Sequence, residues 1–226
     1  MLWNLLQQGK NAADYNMALD EALLHSAPKR GRPLMRFYGW TEPAASFGYS
    51  QKYAEIEKIT LLRPLVRRPT GGGLVPHQED WTYSVVVPPN DPWHRLKAVE
   101  SYRRIHQWVR AAFAAMGVAT ALSERSQKEI PGQCFLGAEA GDLMWEGRKI
   151  AGAAQRRTRS GLLIQGSVQP PPLGLSRTRW EESMRGAARQ MFLLDWQPLV
   201  IDDALRELTE TLRATKYSQP GYNRRR

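Results

Sequence analysis

The most informative stretch of the sequence is residues 67–77, which read Arg67-Arg68-Pro69-Thr70-Gly71-Gly72-Gly73-Leu74-Val75-Pro76-His77. Three consecutive glycines between two strand-like segments are entropically costly, so they indicate a loop that another group must approach closely. Such a loop can aim amide N–H groups at a phosphate or carboxylate, while Arg67 or Arg68 supplies charge and Thr70 a hydroxyl. A plain tight turn has the same composition, and the stretch is neither a Walker loop nor a dinucleotide-binding fingerprint.

A second informative stretch is residues 146–155, Glu146-Gly147-Arg148-Lys149-Ile150-Ala151-Gly152-Ala153-Ala154-Gln155. Lys149 precedes a run of residues small enough for a ligand to lie along a strand. A lysine in such a place is usually a solvated charge. It becomes a candidate for binding a carbonyl or phosphate oxygen if it points into the same cleft as the triple-glycine loop.

The chain contains one cysteine, Cys134, in the glycine-flanked segment Gly132-Gln133-Cys134-Phe135. A single cysteine cannot form an internal disulfide, which agrees with a reducing compartment. Free cysteines are more often buried and inert. A thiol whose pKa is lowered by a nearby lysine would instead form the thiolate that acyl transfer requires.

Helical and strand patterns are mixed along the chain. β-branched and aromatic residues over 81–87 predict a strand, and Glu146-Gly147 predicts the turn of a hairpin. Apolar residues spaced by three and four over 98–116 predict a long amphipathic helix that Gly117 ends. Because strands and helices do not alternate regularly, the predicted class is α+β.

Helix starts are predicted from residues that commonly cap helices. Asn11 precedes the apolar stripe of a first helix, and Thr178 stands three residues before Glu181 in a capping-box pattern. These patterns place the predicted N-caps at Asn11 and Thr178.

The 226 residues, 42% hydrophobic and 24% charged, fit one globular domain. We expect residues 1–226 to form a single catalytic domain in which 170–226 are a helical C-terminal appendage. The first residues lack the features of a secretory signal, and no segment has the length of a membrane span, so a cytoplasmic location is expected.

The net charge of +10 predicts attraction to acidic proteins or polyanions. Two arginine-rich runs, at 156–159 and 224–226, could contact phosphates. No aromatic RNA-recognition signature or zinc-finger spacing accompanies them, which favours an acidic protein partner over a nucleic acid.

Both stretches resemble signatures of the biotin/lipoate A/B protein ligase family, in its octanoyltransferase and lipoate-protein ligase A branch. The first signature is matched by residues 67–73 with His77 and Tyr83-Ser84, and the second by 147–155 with its lysine at Lys149. Residues 16–21 and 34–40 match the family as well, so the resemblance covers most of 1–168.

The resemblance implies a fold like the class II synthetase and biotin-ligase catalytic domain, a mixed sheet flanked by helices that holds an acyl chain in a tunnel. It implies that Lys149 contacts the acyl carbonyl and that His77 supports the glycine loop. The substrate-binding residues that it implies are Arg68, Thr70, Gly71, Gly72, Gly73, His77, Gly152 and Ala154.

Two chemistries occur in the family. Octanoyltransferases move octanoate from acyl carrier protein through a cysteine thioester without a nucleotide, and Cys134 resembles the nucleophile position of one such group. Ligases activate free lipoate or octanoate with ATP and Mg through an acyl-adenylate. The transferase interpretation is preferred, with Cys134 and Lys149 as catalytic residues, an acidic lipoyl-carrier protein as acceptor, and neither a metal nor a cofactor.

A member of the family that only binds an acyl group or a lipoyl domain is a further alternative. Such a protein would keep the fold and lose the nucleophile. The presence of both Cys134 and Lys149 disfavours it. Biotin ligation is another alternative, disfavoured because the motifs are closer to the lipoate branch.

Overall fold

The computed structural model describes residues 1–126 and 137–225, which form two β-sheets covered by helices. The strands are β1 (Leu2–Asn11), β2 (Leu34–Trp40), β3 (Ala44–Phe47), β4 (Leu65–Arg67), β5 (Val75–His77), β6 (Trp81–Val87), β7 (Ala121–Leu122), β8 (Leu143–Trp145), β9 (Arg148–Thr158), β10 (Gly161–Val168) and β11 (Asp195–Pro198). The α-helices are α1 (Ala13–Arg30), α2 (Tyr53–Ile59), α3 (Ala98–Ala115), α4 (Arg177–Phe192), α5 (Asp203–Leu212) and α6 (Pro220–Asn223). A 3-10 helix spans Pro92–Arg95, and a π-helical segment spans Arg213–Tyr217.

The larger sheet has eight strands in the order β11-β1-β2-β6-β10-β9-β8-β7. The pairs β11–β1 and β1–β2 are parallel, and the other neighbours are antiparallel. The mixed sheet confirms the predicted α+β class.

The smaller sheet has the order β4-β3-β5 and carries the triple-glycine stretch between β4 and β5. β3 is parallel to β4 and antiparallel to β5. The loop at 68–74 therefore leaves one edge strand of this sheet and returns along the other.

Helices cover the larger sheet in two groups. α3 and α4 pack against one set of strand side chains, and the fully buried Trp108 and Trp180 are the largest residues of that core. α1 and α5 pack against a second set, with Leu19 and Leu205 buried between them and the sheet. Burying both sets of apolar side chains removes them from water, which is the main stabilising contribution to such a layered fold.

Several element predictions are confirmed, and two helix caps are wrong. β6 spans the predicted 81–87, and α3 ends before Gly117, whose φ of 81° only glycine adopts readily. Asn11 belongs to β1 because its backbone pairs with Trp40, and α1 begins after Ala12. α4 is capped by Ser176, whose hydroxyl accepts from the Arg179 amide, two residues before the predicted Thr178.

Across the two described ranges, we find no helix with both the length and the apolar character needed to cross a bilayer.

Candidate active site

One cavity of about 520 Å³ is lined by both sheets and by α1 and α3. The first signature contributes Arg68, Gly72, Gly73, Val75 and His77 to its lining. The second contributes Lys149, Gly152, Ala153, Ala154 and Gln155. The lysine and the glycine loop therefore border one cleft, which is the condition under which Lys149 becomes a candidate for chemistry.

The glycine loop is held by hydrogen bonds from Arg68 and by a backbone contact with Gly48. The buried Arg68 guanidinium donates to the carbonyls of Gly71 (2.9 Å), Gly73 (2.8 Å) and Ser46 (2.8 Å). A Cβ placed on Gly48 would lie 1.9 Å from the Gly72 oxygen, so the two backbones touch. Gly72 itself has a φ of 84°. These contacts are the close approach that the triple glycine indicates.

The neighbouring Arg67 faces away from the cavity and binds the C-terminal segment. Its buried guanidinium donates to backbone carbonyls of two chain segments. These are the carbonyls of Tyr49, Gln51, Tyr222, Asn223 and Arg225. Its amide donates to the Asn223 side chain at 2.8 Å. Carbonyl dipoles thus surround this cation and tie residues 222–225 to the start of the loop.

Thr70 connects the loop to a buried charge cluster on α1. Its hydroxyl donates to Gln165 (2.8 Å), whose amide donates in turn to Asp20 (2.7 Å). Asp20 is fully buried and paired with the equally buried Arg36 at 2.6 Å. The cluster accounts for Asn16 and Asp20 within 16–21, and Gln165 connects it to the cavity wall. Neither Thr70 nor Gly71 is among the cavity-lining residues.

His77 links the glycine loop to a buried carboxylate. Its Nδ1 lies 2.9 Å from Asp80, and its Nε2 lies 2.6 Å from the Ser46 hydroxyl, which accepts from Arg68. Burial would raise the pKa of Asp80, but the interaction with His77 and hydrogen bonds from His77, Ser167 and Thr82 hold it below its usual value. An ionised Asp80 accepts a hydrogen bond from Nδ1 of His77.

Ser46, His77 and Asp80 have the connectivity of a hydrolase triad, but their surroundings give them another role. The Ser46 side chain is fully buried, and its oxygen is already bound by Arg68. Trp40 stacks on the His77 ring with centroids 3.8 Å apart. Because Arg68 and His77 both hold the Ser46 oxygen, this chain of contacts braces Arg68 and the loop.

Lys149 is aimed into the cavity by the local geometry of the β8–β9 hairpin. Glu146 and Gly147 have φ angles of 47° and 77°, as expected for the tight turn that their sequence predicts. Leu143 pairs with Ala151 while Met144 pairs with Lys149, so β9 carries one extra residue there. Such a bulge changes the direction in which side chains point. As a result, the Lys149 side chain lies against Gly152. A Cβ on Gly152 would lie 2.8 Å from the lysine Cε.

The Lys149 ammonium forms a buried ion pair with Asp142. Its Nζ lies 2.7 Å from Oδ2, and the two side chains are only 6% and 0% exposed. The Glu139 amide donates to the same oxygen at 2.6 Å, and the Tyr102 hydroxyl donates to Oδ1. Burial first, and then the Asp142 charge, raise the pKa of Tyr102 well above its usual value, so this phenol stays protonated.

The other predicted catalytic residue, Cys134, lies outside the described residues. Gly137, three residues further along the chain, lines the cavity. Within 1–126 and 137–225, no group of three or more His, Cys, Asp and Glu side chains is arranged to hold a metal ion.

Comparisons with known proteins agree with this geometry. Residues 12–169 match the model of the lipoyl protein ligase A/B catalytic domain. The chain belongs to this family. Proteins named octanoyltransferase LipM from Geobacillus kaustophilus and Staphylococcus aureus are 38% and 37% identical to it, over 74% of this chain. The chain spans 65% of the length of these relatives.

Solved structures in the family share the fold. Protein Ta0514 from T. acidophilum with bound lipoic acid superposes with a TM-score of 0.85 at 21% identity, covering 99% of both chains. A lipoate-protein ligase A bound with ATP gives a TM-score of 0.83 at 22% identity, again over 99% of both chains. The likeness confirms the implied catalytic-domain fold of lipoate ligases.

Sequence reasoning missed several residues of the site. Asp142, Tyr102 and Ser46 were not singled out, because their importance depends on which strands and helices become neighbours. Gln165 carried a usable signal, since it is a polar residue inside an otherwise apolar strand pattern. Asp142 carried a weaker one, as a charge directly before a short apolar strand.

Proposed function

We propose that this protein is an acyltransferase that moves an octanoyl or lipoyl group onto a lysine of a lipoyl-carrier domain in the cytoplasm. The observation that carries the proposal is that both family signatures border the same cavity, with the Lys149 ammonium on its wall. Its volume of about 520 Å³ is typical of small-molecule sites. The relatives named octanoyltransferase LipM support the choice of an octanoyl group.

The proposed chemistry has two steps and uses Cys134 as the nucleophile. The Cys134 thiolate attacks the carbonyl carbon of the donor thioester. A bond from the acyl carbon to the cysteine sulfur forms, and the donor thiolate leaves and takes up a proton. The lysine amine of the acceptor then attacks the enzyme thioester, forms an amide with loss of a proton, and releases the Cys134 thiolate. Because one thioester replaces another, the first step needs no ATP.

Lys149 has the electrostatic role in both steps. Negative charge develops on the carbonyl oxygen in each tetrahedral transition state, and a pre-positioned cation in a partly dry site stabilises it. We assign acyl binding to Arg68, Thr70, Gly71, Gly72, Gly73, His77, Gly152 and Ala154. Arg68 and His77 act through the shape of the loop, and Gly152 through the room that it leaves for Lys149.

The partners follow from charge and chemistry. We propose acyl carrier protein as the octanoyl donor, or free octanoate or lipoate if the chain is a ligase, and an acidic lipoyl domain as the acceptor. A net charge of +10 speeds encounters with acidic proteins. A bi-partite lipoate protein ligase from Thermoplasma acidophilum has been studied with its E2 lipoyl domain.

The test is intact-mass analysis after incubation with octanoyl acyl carrier protein, without acceptor. The wild-type protein should gain one octanoyl group that hydroxylamine removes, and Cys134→Ser should gain none. Lys149→Ala should transfer to a lipoyl domain more slowly by on the order of 100-fold. Lys58→Ala, which removes an exposed lysine from α2, is the matched control and should react like the wild type.

Three outcomes would contradict the proposed mechanism. These are normal transfer by Cys134→Ser, a strict requirement for ATP and Mg, or full activity of a folded Lys149→Ala protein. The first two would replace the thioester route with an acyl-adenylate route. The third would remove Lys149 from the mechanism.

A further inference from the structure

We propose that Asp142 is a positioning residue for the acyl transfer, which supplies the counter-charge of Lys149 and holds its ammonium over Gly152, while Tyr102 fixes Asp142. This inference rests on the proposed function, because it assigns a role within the same site. It concerns residues on α3, on β9 and in the turn before β8, which meet only in the folded chain.

Lys149 is confined on two sides by described contacts. The carboxylate lies 2.7 Å from the ammonium, and the Gly152 backbone leaves no room for a Cβ beneath the lysine Cε and Nζ. A long, flexible lysine side chain otherwise samples many rotamers. The ion pair with Asp142 and the contact with Gly152 therefore replace that freedom with one placement at the cavity wall.

Asp142 is itself held by Tyr102 of α3 and by two loop residues, Glu139 and Ser123. Its Oδ2 accepts from the Glu139 amide, and its Oδ1 accepts from the Tyr102 hydroxyl of α3. Its backbone carbonyl accepts from Ser123 at 2.8 Å. A fully buried carboxylate that is bound at both oxygens, on a backbone that is also held, cannot swing away, so the ammonium has a fixed partner.

The tyrosine and histidine side chains packed around this pair are neutral. Tyr102 on α3 and Tyr83 on β6 have pKa values raised chiefly by burial and also by the Asp142 charge. His106, one turn after Tyr102, has its pKa lowered to about 4 by burial, against an opposing effect of Asp142. The Glu139 side chain accepts from Ser126 at 2.8 Å. Among these groups, Asp142 bears a negative charge in direct contact with Lys149.

Asp142→Asn removes the charge and keeps a hydrogen-bonding contact with each neighbour, although the bond with Tyr102 reverses its direction. The amide oxygen can take the place of Oδ2 and accept from Lys149 and Glu139, while the amide nitrogen donates to the Tyr102 oxygen. The variant should lower kcat by roughly 10- to 100-fold with little change in KM, because a displaced catalytic group slows chemistry more than binding. Tyr102→Phe should lower kcat by a smaller factor of about 3 to 10.

The decisive measurement is the same substitution in two backgrounds. If Asp142 acts through Lys149, Asp142→Asn should change the residual rate of a Lys149→Ala protein by less than about twofold, since coupled residues are not additive. An equal loss in both backgrounds would show a merely structural role and overturn the proposal. So would a normal kcat in Asp142→Asn.

The control is Asp203→Asn, which removes an equally charged but fully exposed carboxylate from α5 and should keep the wild-type rate. Thermal melting of each variant establishes that it is folded. Should Asp142→Asn fail to fold, Tyr102→Phe in both backgrounds provides the test, and additive losses there would overturn the proposal. Absence of transfer by the wild-type protein would refute the proposed function instead, which separates the two failures.

Discussion

Gly48 and Gly72 meet backbone to backbone, and this contact sets the position of the glycine loop. A Cβ at position 48 would lie 1.9 Å from the Gly72 oxygen and 2.9 Å from its carbonyl carbon. Both are backbone atoms, so no side chain can move aside. The loop would have to shift, together with the Arg68 guanidinium that binds its carbonyls.

Gly48→Ala should therefore destabilise the protein by about 1–3 kcal/mol, as overpacking typically does, and should lower acyl transfer at least tenfold. The measurements are chemical denaturation and the carrier-acylation rate. Gly186→Ala is the control: nothing lies within 4 Å of its Cβ, and it sits inside α4. Alanine there should raise stability by up to about 1 kcal/mol. Equal behaviour of the two variants would refute the steric argument.

At the residue scale, the sequence predicted which types of residue border the cavity but not how they are held. The triple glycine indicated a close approach, and Lys149 was identified as a candidate through the small residues that follow it. The partners Gly48, Asp142 and Ser46 depend on long-range packing. Arg68 was expected to contact a ligand directly, whereas in the structure its guanidinium N–H groups donate to carbonyls of the loop. Composition alone does not reveal this difference.

At the scale of elements, strand patterns were more predictive than caps. β6 follows from its β-branched and aromatic residues, and the β8–β9 hairpin follows from the Glu146-Gly147 turn, whose glycine readily adopts a positive φ. β1 was not predicted, since its burial depends on pairing with both β2 and β11. The bulge at Ile150 in β9 was also missed, because bulges reflect the partner strand's register.

The C-terminal elements are docked on α1 through one buried carboxylate. Glu21 accepts from the Lys216 ammonium at 2.6 Å and from the Tyr217 hydroxyl at 2.9 Å. Burial first, and then the Glu21 charge, raise the pKa of Tyr217 well above its usual value. From this anchor the chain continues to the carbonyls that bind Arg67.

Tyr217→Phe should cost about 1.5–3 kcal/mol, because it removes a hydrogen bond to a buried charged acceptor. Denaturant unfolding measures this loss. Tyr15→Phe is the matched control, since no hydrogen bond of the Tyr15 hydroxyl is found among the described residues and its ring packs beside α5. If both substitutions were neutral, Glu21 would not anchor the C-terminal elements.

At the scale of the whole molecule, residues beyond the family match complete the structure. β11 extends the larger sheet at β1, α4 supplies Trp180 to the core, and 222–225 hold Arg67. These contacts support the prediction of one catalytic domain over 1–226, which stays a prediction. Sequence patterns indicated the helices of this region, but not that a strand between them joins the sheet.

The global stability of such a layered fold depends on buried groups that must stay neutral. His106 is a fully buried residue of α3. Its Nδ1 donates to the Tyr102 carbonyl at 3.0 Å, and its Nε2 has no partner among the described residues. Asp142, Lys149 and Tyr102 are the charged or titratable groups that act on it. Burial lowers the pKa of His106 to about 4, so the folded protein keeps the ring neutral.

This pKa predicts a loss of stability in mild acid. The unfolded chain takes up a proton on His106 as the pH falls through about 6.5, whereas the folded protein does so only near pH 4. Unfolding therefore binds a proton between these limits, and stability falls as the pH falls. By pH 5 the loss from this one group should reach about 2 kcal/mol, before most carboxylates titrate.

The measurement is the free energy of unfolding at pH 7.5, 6 and 5. His106→Asn, whose amide can still donate to the Tyr102 carbonyl, should lose most of this pH dependence even if it is less stable throughout. His25→Gln, which changes a half-exposed histidine of α1, should retain it. A His106→Asn protein that loses stability as steeply as the wild type would show that another group governs the acid transition.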